Sequence, residues 1–118
     1  MKLPGPDHPI DIAYNPKRVQ VLYQGHLIAD TRGALSLTEA TYKPVAYIPR
    51  EDVRMDLLER TDRVTTCPFK GEANYFSIRD GHDRDDNAVW TYETPKGDVA
   101  EIASHLAFYP NRVEILKA

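Results

Sequence analysis

The run Cys67-Pro68-Phe69-Lys70-Gly71-Glu72-Ala73-Asn74-Tyr75 gathers the side chains of this chain best suited to chemistry. Cys67 is the only cysteine. A lysine close behind a thiol favours its deprotonated form, which is the nucleophile. Pro68 keeps Cys67 extended and fixes the turn that follows. The competing reading is a small buried hydrophobe beside a proline turn, because free cysteine is often buried. No histidine follows at the spacing of a cysteine hydrolase. Lys70 beside Gly71 suits an anion, with an ammonium next to backbone amides that glycine leaves open. It is no P-loop: the upstream glycine is missing, and Glu72 stands where that motif has Ser or Thr. A solvated turn lysine is the alternative.

Other side chains could complete a site. Glu39 closes a predicted strand and Asp52 opens a predicted helix, so either acid can pair with Lys70 or Arg50 across a pocket. A helix-dipole role alone also accounts for Asp52. Trp90, Tyr92, Tyr47, Tyr75 and Phe108 fall on predicted strands, as core or as the wall of a pocket. His82 and Asp83-Arg84-Asp85-Asp86 are rich in oxygen donors of the kind Mg²⁺ or Ca²⁺ takes. They lack the glycine and terminal glutamate of an EF-hand, and a solvated loop accounts for them. His8, His26, His82 and His105 are scattered and do not make a zinc motif with Cys67. No metal and no cofactor are expected.

The elements that must hold these residues are mostly strands. Pro4, Pro6 and Pro9 make residues 1–9 an extended arm. Arg18–Tyr23 places Val19, Val21 and Tyr23 on one face, and Gly25 turns the chain into Leu27–Asp30, which predicts a hairpin. Ala34–Glu39 alternates, and Val45–Ile48 lies between Pro44 and Pro49. Glu51–Arg60 has acids early, Arg60 late and Val53, Leu57 and Leu58 in between, which predicts one short helix interrupted near Arg54. Glu72–Arg79 and Ala88–Glu93 read as strands flanking a charged loop over 80–87. Residues 98–103 suggest a turn of helix capped by Asp98. Leu106–Tyr109 and Arg112–Leu116 suggest a last hairpin. About eight short strands with regular turn signals predict a mainly β domain of bent or partly closed antiparallel sheets.

Composition bounds the function classes. A chain of 118 residues with 42% hydrophobic and 28% charged residues reads as one globular domain over 1–118. A formal charge of -3 argues against nucleic acid as partner. A lone cysteine fits a reducing cytoplasm, the N-terminus lacks a signal-peptide core, and no apolar run is long enough to span a membrane.

In their order, Val45-Ala46-Tyr47-Ile48-Pro49-Arg50-Glu51-Asp52-Val53, the Cys67–Tyr75 run, Ala88-Val89-Trp90-Thr91-Tyr92 and Ala107-Phe108-Tyr109 resemble the DUF427 family. The likeness runs from about Arg18 to Ile115. That family comprises small bacterial and fungal proteins of undetermined function. The resemblance implies a compact β-rich domain with a tent-like sheet of Mss4-like topology. Zinc-binding relatives of that topology use two paired-cysteine motifs, so the single cysteine here carries no structural zinc over. The family also bears a nucleotidyltransferase label. Enzymes of that name use a Gly-Ser turn and paired aspartates on a strand, an arrangement that Gly33-Ala34, Asp83 and Asp85 do not reproduce.

The motif positions carried over as a ligand site are Glu39, Arg50, Asp52, Cys67, Lys70, Tyr75 and Trp90. The leading expectation is a small anionic molecule bound in a cleft between the segment at Asp52 and the Cys67–Tyr75 run. Whether a reaction follows stays open. The alternatives are a protein-interaction or homodimer-forming module that uses a strand edge or the proline arm, a redox-sensing thiol at Cys67, and a nucleotidyltransferase-like enzyme by family label alone.

Overall fold

The computed structural model describes residues 8–118. The expected arm lies mostly in residues 1–7, outside the described part. Among these residues, ten strands form two antiparallel sheets. They are β1 (Ile10–Asn15), β2 (Val19–Tyr23), β3 (His26–Thr31), β4 (Ala34–Glu39) and β5 (Val45–Pro49), followed by β6 (Leu58–Cys67), β7 (Gly71–Asp80), β8 (Asp83–Thr91), β9 (His105–Phe108) and β10 (Glu114–Lys117). The larger sheet has seven strands in the order β1-β4-β5-β9-β8-β7-β6, and the smaller has β10-β2-β3. Among the described residues, neither sheet closes on itself and helix is confined to 3₁₀ turns. The mainly β architecture read from the sequence is the one observed.

Period-two alternation sends neighbouring residues of the large sheet into different cores. Ile48, Phe76, Val89, Leu106 and Phe108 point into a first core, which they share with Val19, Val21, Tyr23 and Ile28 of the small sheet. Tyr47, Tyr75, Trp90 and Ala107, each next to one of those residues, serve a second core with Leu37, Tyr92, Val99 and Ile102. Ile10 and Ile12 of the first strand in the sheet order pack on this second core, as does Cys67 from the last. Side chains from opposite ends of the sheet meet there only because the sheet bends. The second core sits in the bend, and so does the candidate site.

The hairpin at 18–30 has the two-residue turn that glycine announced: Gln24 and Gly25 both have positive φ, 49° and 83°. Four expectations require correction. The helix over 51–60 is replaced by two isolated 3₁₀ turns, Arg50–Asp52 and Met55–Leu57, and Leu58–Arg60 already belong to β6. The edge of β3 takes hold of the chain between them. Val53 is extended and bridges to Ala29, and the Arg54 amide donates to the Ile28 carbonyl at 2.8 Å. A strand-type pairing there removes the helical turn that amphipathicity suggested.

The charged loop over 80–87 is a hairpin instead. β7 and β8 continue to Asp80 and Asp83, joined by Gly81 at φ 62° and His82. Its charges mark a solvated ladder end, where Arg79 and Arg84 both pair with Glu59. The last hairpin is also not formed. β9 pairs with β5 and β8 in the large sheet, whereas β10 crosses to pair with β2 in the small one. The segment at 98–103 forms a 3₁₀ turn over Gly97–Ile102, without a side-chain cap from Asp98. Val99 and Ile102 turn inward from it to close the second core.

Candidate functional site

The Pro68–Lys70 turn joins β6 to β7, with Cys67 and Gly71 paired across its base. Gly71 has φ 109°, which side chains with a Cβ rarely adopt. The Lys70 carbonyl accepts the Lys96 amide at 3.0 Å, tying the turn to the segment before Gly97. So held, the Lys70 side chain points inward and is only 9% exposed. Its Nζ donates to Glu39 Oε1 at the end of β4, so the ion pair spans the bend of the sheet. The other Glu39 oxygen meets His8 Nε2 at 2.7 Å, and the His8 ring stacks on Phe69 with centroids 3.7 Å apart. Burial works against the Glu39 charge. Lys70 and His8 outweigh it and hold the carboxyl below its ordinary range.

Above this pair lies a cleft of about 310 Å³. Trp90 and five tyrosines (Tyr42, Tyr47, Tyr75, Tyr92 and Tyr109) supply most of its wall, with Leu37 and Val45 as apolar patches. Glu39 and Lys70 form its charged end, and the exposed Lys43 adds a second ammonium. Trp90 Nε1 donates to the Tyr47 hydroxyl at 3.3 Å, and its ring lies 4.6 Å from that of Tyr109. Lys70 Nζ sits 6.0 Å from the centre of the Tyr92 ring, within cation–π reach.

The tyrosines differ in acidity. Burial pushes Tyr47 up to about 12 and raises Tyr92 further, so both stay neutral donors at physiological pH. Tyr75 moves the other way. Burial opposes its ionisation, but Thr65, Tyr109 and Arg63 favour it and bring its pKa below the usual phenol value. The Thr65 hydroxyl lies 2.8 Å from the Tyr75 oxygen, and Arg63 lies over the Tyr75 ring at 4.9 Å.

Of the residues singled out from sequence, the structure brings Glu39, Lys70, Tyr75 and Trp90 together in this cleft. Cys67 stands next to it, half-buried against the second core, and is not part of the lining. Arg50 and Asp52 are elsewhere. Arg50 lies 5.7 Å from the Phe76 ring and 3.9 Å from Glu93, a carboxylate that Arg60 also holds at 2.7 Å. Asp52 accepts the Thr31 hydroxyl at 2.7 Å, and that oxygen in turn accepts the Gly33 amide at 2.9 Å. Asp52 therefore braces the β3–β4 turn and lines a different hollow, with Leu27, Ala29 and Arg54. The expectation of a cleft between the Asp52 segment and the Cys67–Tyr75 run is therefore corrected: the cleft that Lys70 and Tyr75 line is bounded by residues 37–47 instead, and Asp52 lies in a separate hollow. Asp85 is bound to Arg112. Among the described residues, no group of three or more His, Cys, Asp or Glu is arranged to hold a metal ion. No helix there is long and apolar enough to cross a membrane.

Sequence reasoning missed Tyr42, Lys43 and Tyr109 as cleft residues and His8 as a Glu39 partner. A signal for Tyr109 existed: it continues the alternation of β9 beyond Phe108, on the face that Ala107 shares with Tyr47 and Trp90. Residues 11–118 match the family model described as Domain of unknown function (DUF427). A comparison with curated proteins gives no match.

Proposed function

We propose that this chain, which belongs to the DUF427 family, binds a small anionic molecule in the tyrosine-lined cleft. The observation that carries the reading is the composition of that wall: six aromatic rings, with Lys43 and Lys70 the cations among them. Rings with polar tips suit a ligand that has a planar body and several acceptors. At about 310 Å³ the cleft is fragment-sized, at the small end of the roughly 300–1,000 Å³ of ligand pockets. Lys70 uses one N–H on Glu39, which leaves donors for a ligand acceptor. Its charge is already balanced by Glu39, so net attraction for an anion comes from Lys43 at the mouth.

A thermal-shift screen of nucleotides, sugar phosphates and aromatic carboxylates tests the reading. A ligand at a hundred times its Kd should stabilise the fold by about 2.7 kcal/mol. Tyr42→Ala and Lys43→Ala change exposed positions, so they should fold normally and lose most of that gain. No stabilisation by any anion, or a gain unchanged in both variants, refutes the assignment.

The edge strands of the large sheet, as the described residues form it, favour self-association as a second reading. β1 and β6 end that sheet and expose Tyr14 and Val64. Light scattering across a concentration series should show a dimer if an edge pairs. A constant monomer mass refutes it.

A further inference from the structure

Beside the tyrosine cleft is a polar cavity of about 400 Å³, lined by Arg63, Asp86, Asn87, Tyr109, Asn111 and Arg112. Two irregularities in the ladder build it. On one side of β7, pairing jumps from Arg60–Phe76 to Val64–Asn74, so that Thr61, Asp62 and Arg63 bulge opposite Tyr75. On the other, pairing jumps between Phe76–Val89 and Ile78–Asp85, so that Asp86, Asn87 and Ala88 bulge opposite Ser77. Thr61 Oγ1 donates to Asn87 Oδ1 at 2.6 Å, and the Asn87 backbone N–H donates to Ser77 Oγ at 3.1 Å, with Asn87 at φ 54°. Bulges at matching heights on both neighbours of one strand re-aim side chains, a feature common beside functional sites.

What the bulges aim is donors. Arg60, Arg79, Arg84 and Arg112 each pair with a carboxylate. Arg63 has no carboxylate partner among the described residues and lies over the Tyr75 ring. With its side-chain oxygen engaged by Thr61, Asn87 keeps its side-chain N–H groups for another partner. Asp86 is the cavity's only carboxylate, and Arg84 offsets its charge. The two cavities meet at Tyr109, which lines both, and Arg63 lies against Tyr75 of the cleft wall.

We infer that Arg63 reads an oxyanion, a phosphate or carboxylate, on the tail of a ligand whose planar body occupies the tyrosine cleft. This rests on the cleft reading and names its ligand class as an aromatic oxyanion. An arginine fork matches either group bidentately, which an ammonium cannot do.

The test uses Trp90, the sole tryptophan and a cleft residue, as its fluorescent reporter. Phenyl phosphate and phenylacetate are the tailed probes, and phenol is the body alone. At least one tailed probe should quench Trp90 with a Kd at least tenfold below that of phenol, and the tighter of the two identifies the tail. Arg63→Gln, at an exposed position, should erase that advantage without changing phenol binding, and Arg63→Lys should keep part of it. If Arg63→Gln binds the tailed probes as tightly as wild type while phenol still binds, the arginine assignment is overturned and the cleft reading stands. If none of the three probes perturbs Trp90, both fall.

Discussion

Replacing Lys70 by methionine keeps most of the apolar stem of the side chain and removes its terminal ammonium, with the charge and the hydrogen bond it gives Glu39. The Glu39 side chain, 18% exposed, would then keep its negative charge with His8 as its remaining partner. Removing one member of a fully buried pair costs roughly 3–5 kcal/mol. Partial exposure and His8 reduce that here, so we expect a loss of about 2–3 kcal/mol at pH 7. For a domain of this size that is a fall in Tm of roughly 8–12 °C.

Glu39→Gln combined with Lys70→Met removes both charges and should recover part of the loss, leaving about 1 kcal/mol. The pH dependence follows from the lowered Glu39 pKa. A carboxyl whose folded pKa is depressed contributes stability that is present above its unfolded value and lost as pH falls through the folded one. The gap between wild type and Lys70→Met should therefore be widest above the ordinary carboxylate range and close on acidification. Denaturant melts of these three proteins from pH 7 to pH 3 check this. A Lys70→Met variant within about 0.5 kcal/mol of wild type, or a gap that widens on acidification, refutes the reasoning.

Other changes have definite expected outcomes. Gly71→Ala puts a Cβ on a residue at φ 109° and should cost more than about 1 kcal/mol in a denaturant melt. Ile102→Ala empties a fully buried site of the second core and should cost about 2–5 kcal/mol. Tyr47→Phe leaves the Trp90 indole N–H without its acceptor; we expect about 1 kcal/mol of destabilisation, read in a denaturant melt against wild type.

The sequence made the strands legible because their alternation was strong. Val19, Val21 and Tyr23 gave β2 its face, and Gly25 placed the turn into β3. The 51–60 segment misled because Val53, Leu57 and Leu58 also satisfy a helical period. What decided the matter was the Ile28 carbonyl and Ala29, which are distant in sequence and capture Arg54 and Val53. The same limit governs the site. Lys70 and Tyr75 stood out in one short run, but nothing local says that Lys70 reaches Glu39 across the bend, or that Asp52 turns to Thr31 instead. Arg63 was invisible as a site residue because its direction is set by a bulge, a matter of register between two strands and not of residue type.

The most direct test of the cleft as a ligand site is a ¹⁵N-resolved NMR titration of the full chain with phenyl phosphate. Binding there should move the Trp90 indole N–H and the amides of Tyr42, Lys43 and Val45 together, with one saturating curve. The amides at Asp52 and Arg54, which line the separate hollow, should stay still. Shifts centred on Asp52, or no saturable shift at Trp90, would contradict the assignment.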